Sequence, residues 1–115
     1  MNVFNFEVSR GDTWKKTLRF YSDSGRVDIS TWTIFLTVKE KVTDPDASAK
    51  ISKTITVHTD PTNGETQISL TSIDTDITVG NYVFDIQIVT PSLADVKTIL
   101  TGTFSILSDI TIRNT

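Results

Sequence analysis

The chain has no cysteine, one histidine, one methionine, three prolines and five glycines in 115 residues. Each shortage closes off some chemistry. Without cysteine there is no disulfide, no thiolate nucleophile and no sulfur-ligated zinc. Small secreted domains lean on disulfides, so their absence fits a chain folded in a reducing cytoplasm. One histidine without cysteine is too little for a zinc site. The glycines stand singly, so none builds a phosphate-cradling loop. Eleven basic against 14 acidic residues leave a net charge of -3, which disfavours nucleic acid as a partner, because a basic face supplies most of that affinity. No apolar run approaches the ~20 residues that cross a bilayer as a helix. "MNVFNFEVSR" has neither the basic start nor the continuous apolar stretch of a signal peptide. The expectation is a soluble, unprocessed chain with no membrane partner and no cofactor.

What the chain has is threonine and isoleucine, its two commonest residue types. Both are β-branched and suit strands. The dominant period is two. Phe4, Phe6 and Val8 alternate with Asn5 and Glu7, while Trp14, Leu18 and Phe20 alternate with Lys15, Thr17, Arg19 and Tyr21. Lys16 falls on the apolar side, where it must snorkel or mark a bulge. Trp32, Ile34, Leu36 and Val38 form a third set, and Ile51, Ile55 and Val57 a fourth, with Lys53 out of pattern. Thr66, Ile68 and Leu70 follow, then Tyr82, Phe84, Ile86 and Ile88, and last Val96, Thr98, Leu100, Phe104 and Ile106. Turn-rich pieces such as "SDSGR", "DPDAS" and "DPTNGE" separate these runs. About seven or eight strands at this spacing predict an all-β, immunoglobulin-like antiparallel β-sandwich. One domain spans 1–115, with 108–115 an exit strand or tail.

Candidate functional residues are few. Arg10-Gly11-Asp12 is an adhesion tripeptide elsewhere, but Trp14 opens a strand two residues later, so it reads as a turn. Asp44 and Asp46, Asp74 and Asp76, and Asp23 and Asp28 match no calcium loop and read as turn-forming aspartates. His58 reads as a surface residue on a polar face, and no nucleophile elbow accompanies it. No catalytic or metal residue is assigned. Tyr21 and Phe35 alternate outward as candidate interface aromatics, and the terminal segment "SDITIRNT" adds Ile110 and Ile112. The layout Asp76, Gly80, Tyr82 before a late strand fits a tyrosine corner. There the hydroxyl bonds to upstream backbone, and Asp76 is expected to cap the preceding turn.

Three pieces in order carry a family resemblance: "RGDTW…LRFYSDSGRVDIS", "TIFLTVKEKVTDPDASAKISKTI" and "GNYVFDIQIVTPSLADVKTILTGTFSILSDIT". Together they span nearly the whole chain. The sequence resembles the N-terminal domain of phage upper baseplate proteins and related small phage virion proteins. The resemblance implies a non-enzymatic β-sandwich in the virion, made in the host bacterial cytoplasm and binding other phage virion proteins in a baseplate, neck, tail or capsid decoration. Self-association into a homo-oligomer is compatible with it. It supplies no site residues. Longer family members carry further domains, whereas this sequence stops at Thr115. The alternative expectation is a carbohydrate-binding, host-attachment module that uses Tyr21, Phe35 or a tryptophan against host glycan. Trp14 and Trp32 lie on the apolar phase, which weakens it. A hydrolase is the third, without any motif.

Overall fold

The computed structural model describes residues 2–90 and 96–108. The period-two segments become strands β1 (Asn2–Ser9), β2 (Trp14–Arg19), β3 (Tyr21–Ser22), β4 (Gly25–Arg26), β5 (Thr33–Lys39), β6 (Ile51–Ile55), β7 (Glu65–Leu70), β8 (Gly80–Val89) and β9 (Val96–Leu107). Two short 3-10 turns are the only helical pieces among the described residues. The protein is all-β. Five strands form one sheet in the order β1-β9-β8-β5-β6, β2 pairs with β7 in a second, and β3 with β4 in a small hairpin.

The five-stranded sheet is mixed. β1 runs parallel to β9, while the other three pairings are antiparallel. This corrects the expectation of a wholly antiparallel arrangement. Hairpin turns impose antiparallel direction on neighbours in sequence, but β1 and β9 are the first and last strands among the described residues and no turn joins them. Gly102 allows the close approach. It sits opposite Phe4 at φ 152°, and a Cβ there would lie 1.7 Å from the Phe4 carbonyl oxygen.

The alternation fixes which side chains enter the core. Ile34, Leu36 and Val38 of β5, Tyr82, Phe84, Ile86 and Ile88 of β8, and Leu100, Phe104 and Ile106 of β9 are buried against Leu18 of β2 and Ile68 and Leu70 of β7. Each such side chain contributes about 1.5–3 kcal/mol by leaving water. Lys16 pairs with Ile68 in unbroken register, and its ammonium lies 5.5 Å from the Phe6 ring centroid. It snorkels across an aromatic face rather than marking a bulge.

Two local expectations change. The β8–β9 register shifts between Ile86 and Gln87, so Leu100 pairs with Ile86 but Thr98 with Gln87, skipping Ile99. A one-residue slip moves every following side chain to the other face. Val96 and Thr98 therefore leave the core phase: Val96 is 61% exposed, and Thr98 accepts a bond from Gln87. β6 stops at Ile55, so Val57 does not point inward with Ile51; it is 86% exposed.

The two layers are unequal. With strands ~4.8 Å apart, the outer strands of the large sheet are separated by ~19 Å and those of the facing pair by ~5 Å. Among the described residues β2 meets the β1 margin through Trp14 and Lys16, and β7 faces the β6 margin across a groove.

Candidate interaction surfaces

The tripeptide Arg10-Gly11-Asp12 connects β1 to β2. The Asp12 N–H donates to the Ser9 carbonyl at 3.0 Å, and Gly11 takes φ 81°. A residue with positive φ at the third position of a four-residue turn is glycine's role. The turn is also tied down. The Arg10 guanidinium meets Asp76 at 2.8 Å, and the Thr75 hydroxyl donates to the Asp12 carbonyl at 2.6 Å. The tripeptide's arginine is thus committed to the loop after β7, a geometry for joining layers.

That pairing changes the role expected of Asp76. The carboxylate capping the turn before the corner is Asp74, which accepts the Thr71 N–H at 2.8 Å while the Thr71 hydroxyl accepts the Asp74 N–H at 3.2 Å. Asp74 also meets Lys53 at 2.9 Å. Burial opposes its ionisation, but the bonds from Lys53 and Thr71 outweigh it and hold the carboxyl below its ordinary range. Gly80 opens β8, and the Tyr82 hydroxyl donates to the Thr78 carbonyl at 2.5 Å. Burial first, then the charge of Glu40, push the Tyr82 phenol upward.

His58 is buried, not on the surface as its strand phase implied. One ring nitrogen, Nε2, lies 2.8 Å from the Trp32 carbonyl and the other, Nδ1, 2.9 Å from the Thr66 hydroxyl. A carbonyl only accepts, so Nε2 carries the proton and donates. His58 thereby clips the start of β5 to β7 across the layers. Trp32 itself packs on Phe20 with ring centroids 5.3 Å apart, and Trp14 packs on Phe6 and Phe104, each at 5.2 Å. Neither tryptophan forms a free platform.

Of the interface aromatics, Tyr21 is 60% exposed in the β3–β4 hairpin, with the Arg26 guanidinium 5.6 Å from its ring centroid. Phe35 is half-buried on the outer face of the large sheet, opposite Gln87 and Thr54. The structure does not bring these two onto one strand pair. Ile110 and Ile112 lie outside the described residues. One row from Phe35, Asp85 sits between Thr37 and Thr101 in a shallow pocket of about 100 Å3 that Lys39 and Val42 also line. Burial raises the Asp85 carboxyl above its ordinary range; Lys39 partly opposes this and Asp46 adds to it. Lys39 is engaged by Asp46 at 2.6 Å. Asp85 carried no motif, so only the neighbouring strands reveal its setting.

Two further aspartates serve their own loops. Asp44 accepts the Lys41 N–H, and Asp28 accepts both the N–H and the hydroxyl of Ser30, which lowers its pKa.

The sheet margins differ in kind. At β1, Phe6 contacts Phe4, Trp14, Phe84 and Phe104 with centroids 5.2–6.3 Å apart. At the other margin, an open groove of about 310 Å3 lies between β6 and β7, lined by Lys53, Thr54, Ile55, Val57, Gln67 and Ser69. Together these features define an all-β domain that offers edges and faces for contact. Comparison of the sequence with protein-family models and with curated proteins finds no match.

Proposed function

We propose that the chain is an immunoglobulin-like β-sandwich acting as a non-enzymatic structural subunit of a bacteriophage virion, binding other virion proteins in the baseplate, neck, tail or capsid decoration. The observation that carries the contact role is the layering of the described residues: five strands face two, with a strand-lined groove at one margin. Unpaired strand edges take up partner strands through main-chain hydrogen bonds, which need no catalytic residue. The strand orders β1-β9-β8-β5-β6 and β2-β7 support the immunoglobulin-like reading, as does the tyrosine bonded upstream at the start of the penultimate long strand. The virion assignment rests on the three-part sequence resemblance. Quantitative mass spectrometry of particles purified from the source lysate is the test. A fixed stoichiometry with other particle proteins is expected; confinement of the chain to the soluble fraction overturns the assignment.

One observation favours a second reading, a host-glycan module. Phe35 shares the outer face with Gln87, Thr37 and Asp85, an aromatic beside polar groups that suits a sugar ring. Glycan-array binding that disappears in Phe35→Ala would move the proposal to that reading.

A further inference from the structure

The loop that leads into β7 carries a chemically reactive pair. Asn63 precedes Gly64, and no other asparagine of the chain is followed by glycine. An asparagine carboxamide is open to attack by the backbone nitrogen of the next residue. That nitrogen loses its proton and bonds to Cγ, the Cγ–Nδ2 bond breaks, and ammonia leaves. Water then opens the succinimide ring at either carbonyl. The product is aspartate, or isoaspartate, in which the main chain runs through the side-chain carboxyl. The reaction consumes only water and needs no enzyme. Glycine in the second place speeds it, because no Cβ obstructs the approach and the backbone turns freely.

The fold requires that glycine. Gly64 is buried and left-handed, at φ 71° and ψ 28°. A Cβ on it would lie 2.6 Å from the Val27 carbonyl oxygen and 2.7 Å from that of Phe20, and the Gly64 carbonyl accepts the Phe20 N–H at 2.8 Å. Packing therefore fixes the residue that makes the pair reactive, while the Asn63 side chain stands in water.

The closed loop keeps the two reacting groups occupied. Asp60 and Glu65 bridge its ends through two backbone bonds of 3.0 Å. The Asn63 Nδ2 donates to the Asp60 carboxylate at 3.0 Å, which draws the carboxamide back toward the start of the loop. The Gly64 N–H, whose proton must leave, donates to the Pro61 carbonyl at 3.1 Å. The Asp60 charge also opposes the negative charge that develops on the attacking nitrogen and on Asn63 Oδ1.

We infer that Asn63 is a self-modification site, held unreacted by the closed 60–65 loop and deamidated when that loop opens. Isoaspartate lengthens the main chain beside a glycine that has two carbonyls packed against it, so the converted loop does not reclose in the same register. The step is one-way, and isoaspartate at 63 records opening of the joint between β7 and the Phe20–Val27 turn.

Peptide mapping by mass spectrometry, on protein kept in mildly alkaline buffer either folded or in denaturant, is the test. Asn81, followed by Tyr82, lies on the same tryptic peptide and is the internal control. Asn63 should convert at least about tenfold faster in denaturant, because only the open fraction of the folded chain reacts. Asp60→Ala removes the amide's acceptor and the opposing charge; it should raise the folded rate severalfold and leave the denatured rate little changed. Protein aged in denaturant and refolded should melt lower than fresh protein. Asn63→Gln, whose longer side chain cannot close the same ring, should regain its starting melting curve after the same treatment. Equal folded and denatured rates at Asn63 overturn the inference, whether or not the variants fold. So does an Asp60→Ala variant that melts like the parent and deamidates no faster. An unchanged melting curve in refolded protein that carries isoaspartate at 63 overturns the claim that the loop fails to reclose.

Discussion

The two margins of the large sheet face the same problem and solve it differently. Each meets a second layer that has two paired strands, β2 and β7, among the described residues. At β1 the solution is internal: five rings (Phe4, Phe6, Trp14, Phe84 and Phe104) pack on one another, and Lys16 closes over Phe6. At β6 Ile51 is buried in the core, Lys53 and Ile55 are half-covered, and Ser52, Thr54 and, just past the strand, Val57 are exposed; the Lys53–Asp74 pair and the His58 clip brace the region. Edge-to-face aromatic pairs each add about 0.5–1.5 kcal/mol beyond area burial, whereas a partly exposed ion pair is worth about 1 kcal/mol or less. Ring packing is therefore concentrated at one margin, where Val3 and part of Phe4 stay exposed, and the open groove lies at the other.

The strongest way to break this contrast is Gly102→Val. Its Cβ would collide with the Phe4 carbonyl, so β1 must leave β9; a loss of more than about 3 kcal/mol is expected in denaturant unfolding. Trp14→Ala removes the ring that joins Phe6 to Phe104 and should cost about 3 kcal/mol by the same measurement. On the open side, His58→Ala leaves the buried Thr66 hydroxyl and the Trp32 carbonyl without their partner, at about 1–3 kcal/mol. If His58→Ala costs more than Trp14→Ala, the contrast between the margins fails.

The smallest effects separate two carboxyls by sign. Asp74 has a lowered folded pKa, so its stabilising contribution is present above the ordinary carboxylate value near 3.8 and is lost as pH falls through the folded value. Asp74→Asn should therefore lower the melting temperature slightly at pH 7 and hardly at all at pH 2. Asp85 has a raised folded pKa, so its contribution is complete below about 3.8 and is lost as pH rises through the folded value. Asp85→Asn should raise the melting temperature at pH 7 and leave it nearly unchanged in acid. Melting curves of both variants at the two pH values check the pair; a shared sign at neutral pH would refute the assignment.

Much of this was readable along the chain. Alternation in "TIFLTVK" and "NYVFDIQIV" specifies which side chains of β5 and β8 face the core, because strand side chains repeat every two residues whatever the partner. The turn at Arg10-Gly11-Asp12 and the position of Tyr82 are likewise properties of a few consecutive residues. Alternation misleads where the backbone departs from a regular strand. His58 and Val57 exchange inside for outside because β6 stops at Ile55, and Val96 and Thr98 turn outward because β9 skips Ile99. Asp74 and Asp76 are equivalent in a local reading, and only the placement of Lys53 and Arg10 assigns one to the cap and the other to the turn.

The sequence by itself determined the long strands, the core faces of their regular stretches and several of their turns, since these follow from side-chain period and backbone preference within a few residues. Only the tertiary structure decided that β1 lies parallel to β9, that β2 pairs with β7 in a separate sheet, and that a groove opens beside Val57. Those outcomes depend on pairing between segments far apart in the chain, and hydrophobic period carries no information about which distant strand will be the neighbour.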